Sequence, residues 1–249
     1  MMKGQKTQLI AALDVDTLKE VRDLLDQLKD SVDIFKVGSQ LFTSCGPAAV
    51  RFIEAQGKKV FLDLKYHDIP NTVASAVKAA VHLSVALERS QDYFNRKPPK
   101  SRGLFMFTVH TTGGLEMMKT AVDAARQQAE AIKVNRPLIV GVTVLTSEEK
   151  RDNILASVLK RAEMAKAAGL DGVVASVEEA AFLRKEFGKE FVIVTPGIRP
   201  QGSGAQDQKR VATPKEAARQ GSDYIVVGRP IVKAKDPLAA ARAILAEIE

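Results

Sequence analysis

The chain has 249 residues, 45% of them apolar and 27% charged, close to the roughly 250 residues typical of one closed α/β barrel. No apolar run approaches the ~18 residues of a membrane span, and a single cysteine, Cys45, excludes an intrachain disulfide and fits a reducing cytoplasm. The net charge of +7 is scattered, aromatics are only 5% and tryptophan is absent, which disfavours nucleic acid and suits a small polyanion.

Met1 to Gln8 is polar with two lysines, and the apolar stretch after it stops at Asp14, too short for a signal-peptide core. From there, β-rich runs alternate with amphipathic stretches. Strands are expected at Leu9–Asp14, Asp33–Val37, Lys59–Lys65, Leu104–His110, Leu138–Val144, Gly172–Ala175, Phe191–Thr195 and Asp223–Val227, each followed by a segment able to form a helix. The first helix, near Thr17–Lys29, places Leu18, Val21, Leu24, Leu25 and Leu28 on one face. The third repeats Val73, Val77, Val81 and Val85 at a spacing of four, and the last opens at Asp236-Pro237, an N-cap followed by proline at the first helical position. Eight such units without hairpin turns predict parallel strands. The fold class is therefore α/β, an eight-stranded parallel (β/α)₈ (TIM) barrel in one domain, with an open doubly wound sheet as the alternative. Arg89–Gly103, with five basic residues and two prolines, breaks the compact pattern and reads as a solvated loop on the face opposite the site.

Catalytic side chains of such barrels come from the C-terminal ends of the strands. Here those ends carry Asp14, Lys36, Asp63 and Lys65 on three adjacent strands. Residues two apart on a strand point the same way, and neighbouring strands lie ~4.8 Å apart, so the four are expected to meet with alternating sign. Charges cluster in a partly dry mouth only when they compensate one another, and such clusters concentrate at functional sites. At the other side, strand seven runs into Thr195-Pro196-Gly197-Ile198-Arg199-Pro200 and a glycine-rich polar loop at Gln201–Lys209, while strand eight runs into Gly228-Arg229-Pro230. The loops after strands seven and eight are the usual phosphate site of the fold. Glycine permits close backbone approach there, and arginine offers a bidentate grip on phosphate.

The stretch Asp63–Thr72 reads DLKYHDIPNT and resembles the signature of orotidine 5′-phosphate decarboxylases. ALD at Ala12–Asp14, FKVG at Phe35–Gly38, VHTTGG at Val109–Gly114, GVTVLTS at Gly141–Ser147, TPGIRP at Thr195–Pro200 and VVGRP at Val226–Pro230 follow in that family's order; Arg89–Gly103 looks like an insert. The resemblance implies conversion of orotidine 5′-phosphate to uridine 5′-phosphate with neither cofactor nor metal. It implies that Lys65 protonates pyrimidine C6, that Asp63 faces the substrate carboxylate, and that Lys36 and Asp68 complete a Lys-Asp-Lys-Asp tetrad. It further implies a homodimer in which Asp68 and Thr72 enter the partner's site. Asp14 and Lys36 match ribose contacts. Thr146 matches a residue near the pyrimidine, and Ile69 and Pro196 are counted among the substrate contacts. Arg199, Gln208, Gly228 and Arg229 match the phosphate end.

Two rivals remain at the level of sequence. One is a magnesium-dependent sugar-phosphate decarboxylase or aldolase of the same barrel superfamily, which shares Asp-x-Lys-x-x-Asp but lacks the Ile-Pro-Asn-Thr that follows it here. The other is an inactive barrel that only binds a nucleotide or another anion, against which the intact Lys36, Asp63, Lys65 and Asp68 argue. His67 and His110 receive no catalytic role, and no histidine or cysteine spacing suggests a metal site.

Overall fold

The computed structural model describes residues 6–83, 103–144, 154–200 and 212–249. Eight strands, β1 (Gln8–Ala12), β2 (Ile34–Gly38), β3 (Lys59–Tyr66), β4 (Met106–His110), β5 (Leu138–Val142), β6 (Gly172–Val174), β7 (Val192–Thr195) and β8 (Tyr224–Val227), pair in chain order. All are parallel, and β1 closes on β8. Each of the eight predicted strands is present, and the closed barrel replaces the open-sheet alternative.

The strands are buried on both faces, which is why they read as nearly continuous apolar runs. Alternation divides them between two cores. Ile10, Ala12, Ile34, Phe61, Met106, Val140, Val194, Tyr224 and Val226 fill the inside of the barrel. Ala11, Leu13, Phe35, Val37, Leu62, Phe107, Val109, Ile139, Val173, Ile193, Ile225 and Val227 face outward into the larger core beneath the helices.

Helix α1 (Leu18–Leu28) begins at Thr17, whose hydroxyl accepts the Glu20 amide while Glu20 reaches back, a capping box that satisfies two otherwise orphaned amides. Val21, Leu24, Leu25 and Leu28 are its buried face, as their spacing predicts. One helical stretch is expected after β2, but two occur, α2 (Ser39–Cys45) and α3 (Pro47–Ala55). Gly46, at φ 58°, makes the break between them, and proline opens the second. Helix α4 (Pro70–His82) buries Val73, Val77 and Val81; Val85 and the Arg89–Arg102 part of the predicted insert lie outside the described residues. A 3₁₀ turn, Thr111–Gly113, leads into α5 (Gly114–Ile132). Further on come α6 (Ile154–Ala167), α7 (Val177–Phe187), α8 (Pro214–Arg219), a single turn α9 (Arg229–Val232) and α10 (Pro237–Ile248). The last is capped by Asp236, which accepts the Ala239 amide at 2.9 Å.

The end of the barrel away from the site is tied by two matching devices. Asp171, just before β6, accepts the Ile139 amide and pairs with Arg136. Asp223, just before β8, accepts the Ile193 amide and pairs with Arg184. Each carboxylate thus fastens the preceding odd-numbered strand to its own. The arrangement leaves the opposite, C-terminal rim to carry charges that serve another purpose.

Candidate active site

That rim holds a cavity of about 250 Å³. Its floor is apolar, built by Ala12, Phe61, Val142, Val174, Val194 and Val226. One wall is charged. Lys36 Nζ lies 3.2 Å from Asp14 Oδ1 and 3.7 Å from Asp63 Oδ2, and Lys65 Nζ lies 2.9 Å from Asp63 Oδ1. The alternation Asp14, Lys36, Asp63, Lys65 expected from strand positions is therefore a continuous ion-pair chain. Lys36 is buried, with its side chain 11% exposed, and Asp63 is nearly as dry at 14%. Each charge at that depth loses hydration, which the opposite charge on either side offsets.

The path by which Lys65 arrives differs from the sequence argument. Simple alternation puts Asp63 and Lys65 on one face, but the register slips: Leu62 pairs with Phe107 and Tyr66 with Val109, so four steps on β3 oppose two on β4. Lys65 sits at φ 53°, the left-handed region that residues with a Cβ seldom occupy. Regular alternation from Phe61 brings Asp63 into the mouth, and it is the bulge that carries Lys65 in beside it. Thr108, fully buried on β4, lies against it, its hydroxyl accepting the Lys65 amide at 2.8 Å and donating to Asp63 Oδ1 at 3.1 Å. Sequence reasoning missed Thr108; the available signal was one polar residue inside the apolar run Met106–Val109.

Pro196, Gly197, Arg199, Gly228 and Arg229 line the cavity from the ends of β7 and β8, which the strand order places across the barrel from Lys65 on β3 and, for β8, beside Asp14. Arg199 is buried and Arg229 half-buried at the first position of α9. Gly228 is held close, since a Cβ there would come within 3.0 Å of Asp14 Oδ2. The titratable lining comprises four cations, Lys36, Lys65, Arg199 and Arg229, against two carboxylates, Asp14 and Asp63. The excess of positive charge suits a ligand with more than one negative group.

Of the remaining predicted site residues, Asp68, Ile69 and Thr72 do not reach this cavity within the chain. Asp68 is exposed at the entry to α4 and accepts the Ile69 amide, while Ile69 is 67% exposed, unusual for so large an apolar side chain. Thr72 is exposed one turn on. Thr146 and Gln208 lie outside the described residues. His67 and His110 stack at the rim with ring centroids 5.3 Å apart, and the His110 ring is hydrogen-bonded to Thr112. Among the described residues, no three of histidine, cysteine, aspartate or glutamate converge as a metal site, and no helix is long and apolar enough to cross a membrane.

Fold and site together define a (β/α)₈-barrel enzyme with an ion-pair chain on one wall of its mouth and arginines on the other. The orotidine 5′-phosphate decarboxylase / HUMPS family matches residues 7–244, and the chain belongs to that family. It is 46% identical to orotidine 5′-phosphate decarboxylase of Moorella thermoacetica, over 98% of this chain and 93% of that protein. It is 44% identical to the protein of the same name from Geotalea uraniireducens, over 98% and 95% respectively. The crystal structure of orotidine 5′-phosphate decarboxylase from Lactobacillus acidophilus superposes with a TM-score of 0.78 at 36% identity, covering 98% of this chain and 99% of that one.

Proposed function

We propose that the protein decarboxylates orotidine 5′-phosphate to uridine 5′-phosphate, the last step in making that nucleotide, in the cytoplasm and without cofactor or metal. The observation that carries this reading is the pairing of Lys65 Nζ with Asp63 Oδ1 at 2.9 Å, on the wall facing Arg199 and Arg229. A ligand with phosphate at one end and carboxylate at the other finds a cation at each.

In this reading the phosphate binds at Arg199, Gly228 and Arg229, with Gln208 from the loop after β7. The ribose lies against Asp14 and Lys36, and the pyrimidine over the apolar floor, near Thr146, Pro196 and the partner subunit's Ile69. The C6–carboxylate bond breaks and carbon dioxide leaves, its bonding electron pair remaining on C6. That pair lies in the ring plane, where the ring delocalises it poorly. The Lys65 ammonium stabilises it and then transfers a proton to C6, becoming an amine that regains a proton from water. A fixed cation in a cavity that excludes water stabilises developing charge far better than one in solvent. Each 1.36 kcal/mol so gained is a factor of ten in rate. Binding energy from the remote phosphate is available to draw the site together around the ring. Asp68 and Thr72 complete the partner subunit's site in a homodimer, which gives the exposed Ile69 a covered place.

The test is the loss of orotidine 5′-phosphate ultraviolet absorbance with stoichiometric release of carbon dioxide, run with and without excess EDTA. Equal turnover in both arms is expected. Folded protein that binds uridine 5′-phosphate yet releases no carbon dioxide would make it a binding barrel, and activity lost to chelator and restored by magnesium would move it to the metal-dependent relatives.

A further inference from the structure

The bulge in β3 sets a specific problem. Between Leu62 and Tyr66 the regular ladder to β4 is interrupted, so Asp63, Leu64 and Lys65 have no register partners there. The Lys65 amide nonetheless points at β4, from a residue held at φ 53°. A buried amide left without an acceptor costs about 1–3 kcal/mol, and the left-handed backbone adds of order 1–2 kcal/mol for a residue with a Cβ. Something must hold this conformation in place.

Thr108 does so. It stands between Phe107, paired with Leu62, and Val109, paired with Tyr66, which places it opposite the looped residues. A hydroxyl has one proton to donate and lone pairs to accept with. Here the proton goes to Asp63 Oδ1 at 3.1 Å and a lone pair takes the Lys65 amide at 2.8 Å. The same Asp63 oxygen receives the Lys65 ammonium at 2.9 Å. One hydroxyl therefore fixes the backbone of Lys65 and the carboxylate that its side chain meets, closing a small ring through both ends of the residue. Thr108 has no exposed surface, so water does not compete for its hydroxyl, and its branched Cβ limits the rotation that would aim it elsewhere.

We infer that Thr108 is a positioning residue for the reaction: its hydroxyl sets where the Lys65 ammonium and the Asp63 carboxylate stand. The inference rests on the reading of Lys65 as proton donor for its kinetic consequence, but the coupling of Thr108 to Lys65 does not. Thr108→Val keeps the shape and removes the hydroxyl, Thr108→Ser keeps the hydroxyl, and Thr108→Cys substitutes a weak donor with a longer bond.

The experiment measures kcat and KM for orotidine 5′-phosphate, Kd for uridine 5′-phosphate, and the Lys65 ε-carbon signal by NMR in protein with ¹³C-labelled lysine, the resonance identified by its loss in Lys65→Ala. For Thr108→Val, kcat is expected to fall about 100-fold, the scale of a misplaced catalytic group, with Kd for uridine 5′-phosphate within about threefold of the parent. Thr108→Ser is expected to stay within about threefold of the parent in kcat, and Thr108→Cys to fall between the two. The Lys65 ε-carbon signal should change measurably in Thr108→Val and hold in Thr108→Ser. Should Thr108→Val fail to fold, the order of Thr, Ser and Cys decides.

An unchanged Lys65 ε-carbon signal in Thr108→Val overturns the inference, as does a Thr108→Ser protein as impaired as Thr108→Val, or a cysteine variant with full kcat. A parallel loss of kcat and of uridine 5′-phosphate affinity also overturns it, because that is the mark of a merely structural residue. If the parent protein releases no carbon dioxide, the proposed function fails, while the NMR comparison still decides whether Thr108 positions Lys65.

Discussion

Lys36 Nζ stands 3.7 Å from Asp63 Oδ2, and it reaches that point through the space that Gly38 leaves open. In register, Lys36 is level with Ala12 on one side and Phe61 on the other, while Asp14 and Asp63 belong two residues further along their strands. The lysine must extend upward to lie between them. The position on β2 level with Asp63 is Gly38, where a Cβ would come within 2.7 Å of Lys36 Nζ and 3.7 Å of Asp14 Oδ1. The small residue is thus part of the charge arrangement.

Gly38→Ala is expected to displace the Lys36 ammonium from one or both carboxylates. The atom in the way is the end of a flexible side chain, so the barrel should stay folded with its melting midpoint within a few degrees of the parent. The ion-pair chain is disturbed at its centre, and kcat/KM for orotidine 5′-phosphate should fall roughly 10- to 100-fold. Steady-state kinetics alongside a thermal melt checks both halves, and a kcat/KM equal to the parent's removes Gly38 from the site.

Arg229 opens α9 directly after β8 and shares the cavity wall with Arg199. Its replacement by alanine should remove a charge-assisted grip on the phosphate, a loss of about 3 kcal/mol or roughly 100-fold in affinity. Titration of uridine 5′-phosphate against Arg229→Ala, compared with uridine lacking the phosphate, measures this. The nucleotide should lose most of its advantage over the nucleoside, and an undiminished advantage would place the phosphate elsewhere.

The order of strands was legible because burial on both faces leaves long apolar runs, and because turn residues mark the ends of each. Lys36, Asp63 and Lys65 were legible because a charge at the end of such a run is conspicuous. The slip between Leu62 and Tyr66 was not, since no glycine or proline announces it and the left-handed residue is a lysine. For Lys65, alternation led to the right wall for the wrong reason. Thr108 escaped for a related cause: its partners are set by the bulge, and without the bulge it is one polar residue in a strand. Asp68 and Ile69 are a different case. Their exposure within one chain becomes informative only beside the resemblance, which assigns Asp68 to a second subunit.

Tyr66 ends β3 next to Lys65 and meets Phe107 edge-on, ring centroids 6.1 Å apart. Burial disfavours its phenolate and pushes the phenol up to about 12 from an ordinary value of 10. The folded protein therefore holds this proton more tightly than the unfolded chain. The stability contributed is complete below pH 10 and is lost as the pH rises from 10 toward 12. Phenolate absorbance should show a late-titrating tyrosine in the native protein that is absent from Tyr66→Phe and from denatured protein. Urea melts should show the parent losing stability relative to Tyr66→Phe on going from pH 9 (about 1 unit below the unfolded phenol) to pH 11.5. Phenolate formation at the same pH in both states would show that the ring is not buried.

Lys65→Ala and Asp68→Ala test the shared site together. Lys65 and Asp63 meet within one chain at 2.9 Å, whereas Asp68 is turned outward at the start of α4. If Asp68 serves the partner subunit, each single variant is inactive as a homodimer for a different missing group. A mixed dimer has one site lacking both groups and one lacking neither, since the Lys65→Ala chain brings an intact Asp68 to the Lys65 of the other. Random exchange in an equal mixture makes half the dimers mixed, and half the sites in those complete, so activity should recover to about one quarter of the parent's per site. Native mass spectrometry of chains of different mass establishes that exchange has occurred. Demonstrated mixed dimers with no gain in carbon dioxide release would confine catalysis to a single chain, and Asp68 would lose its role.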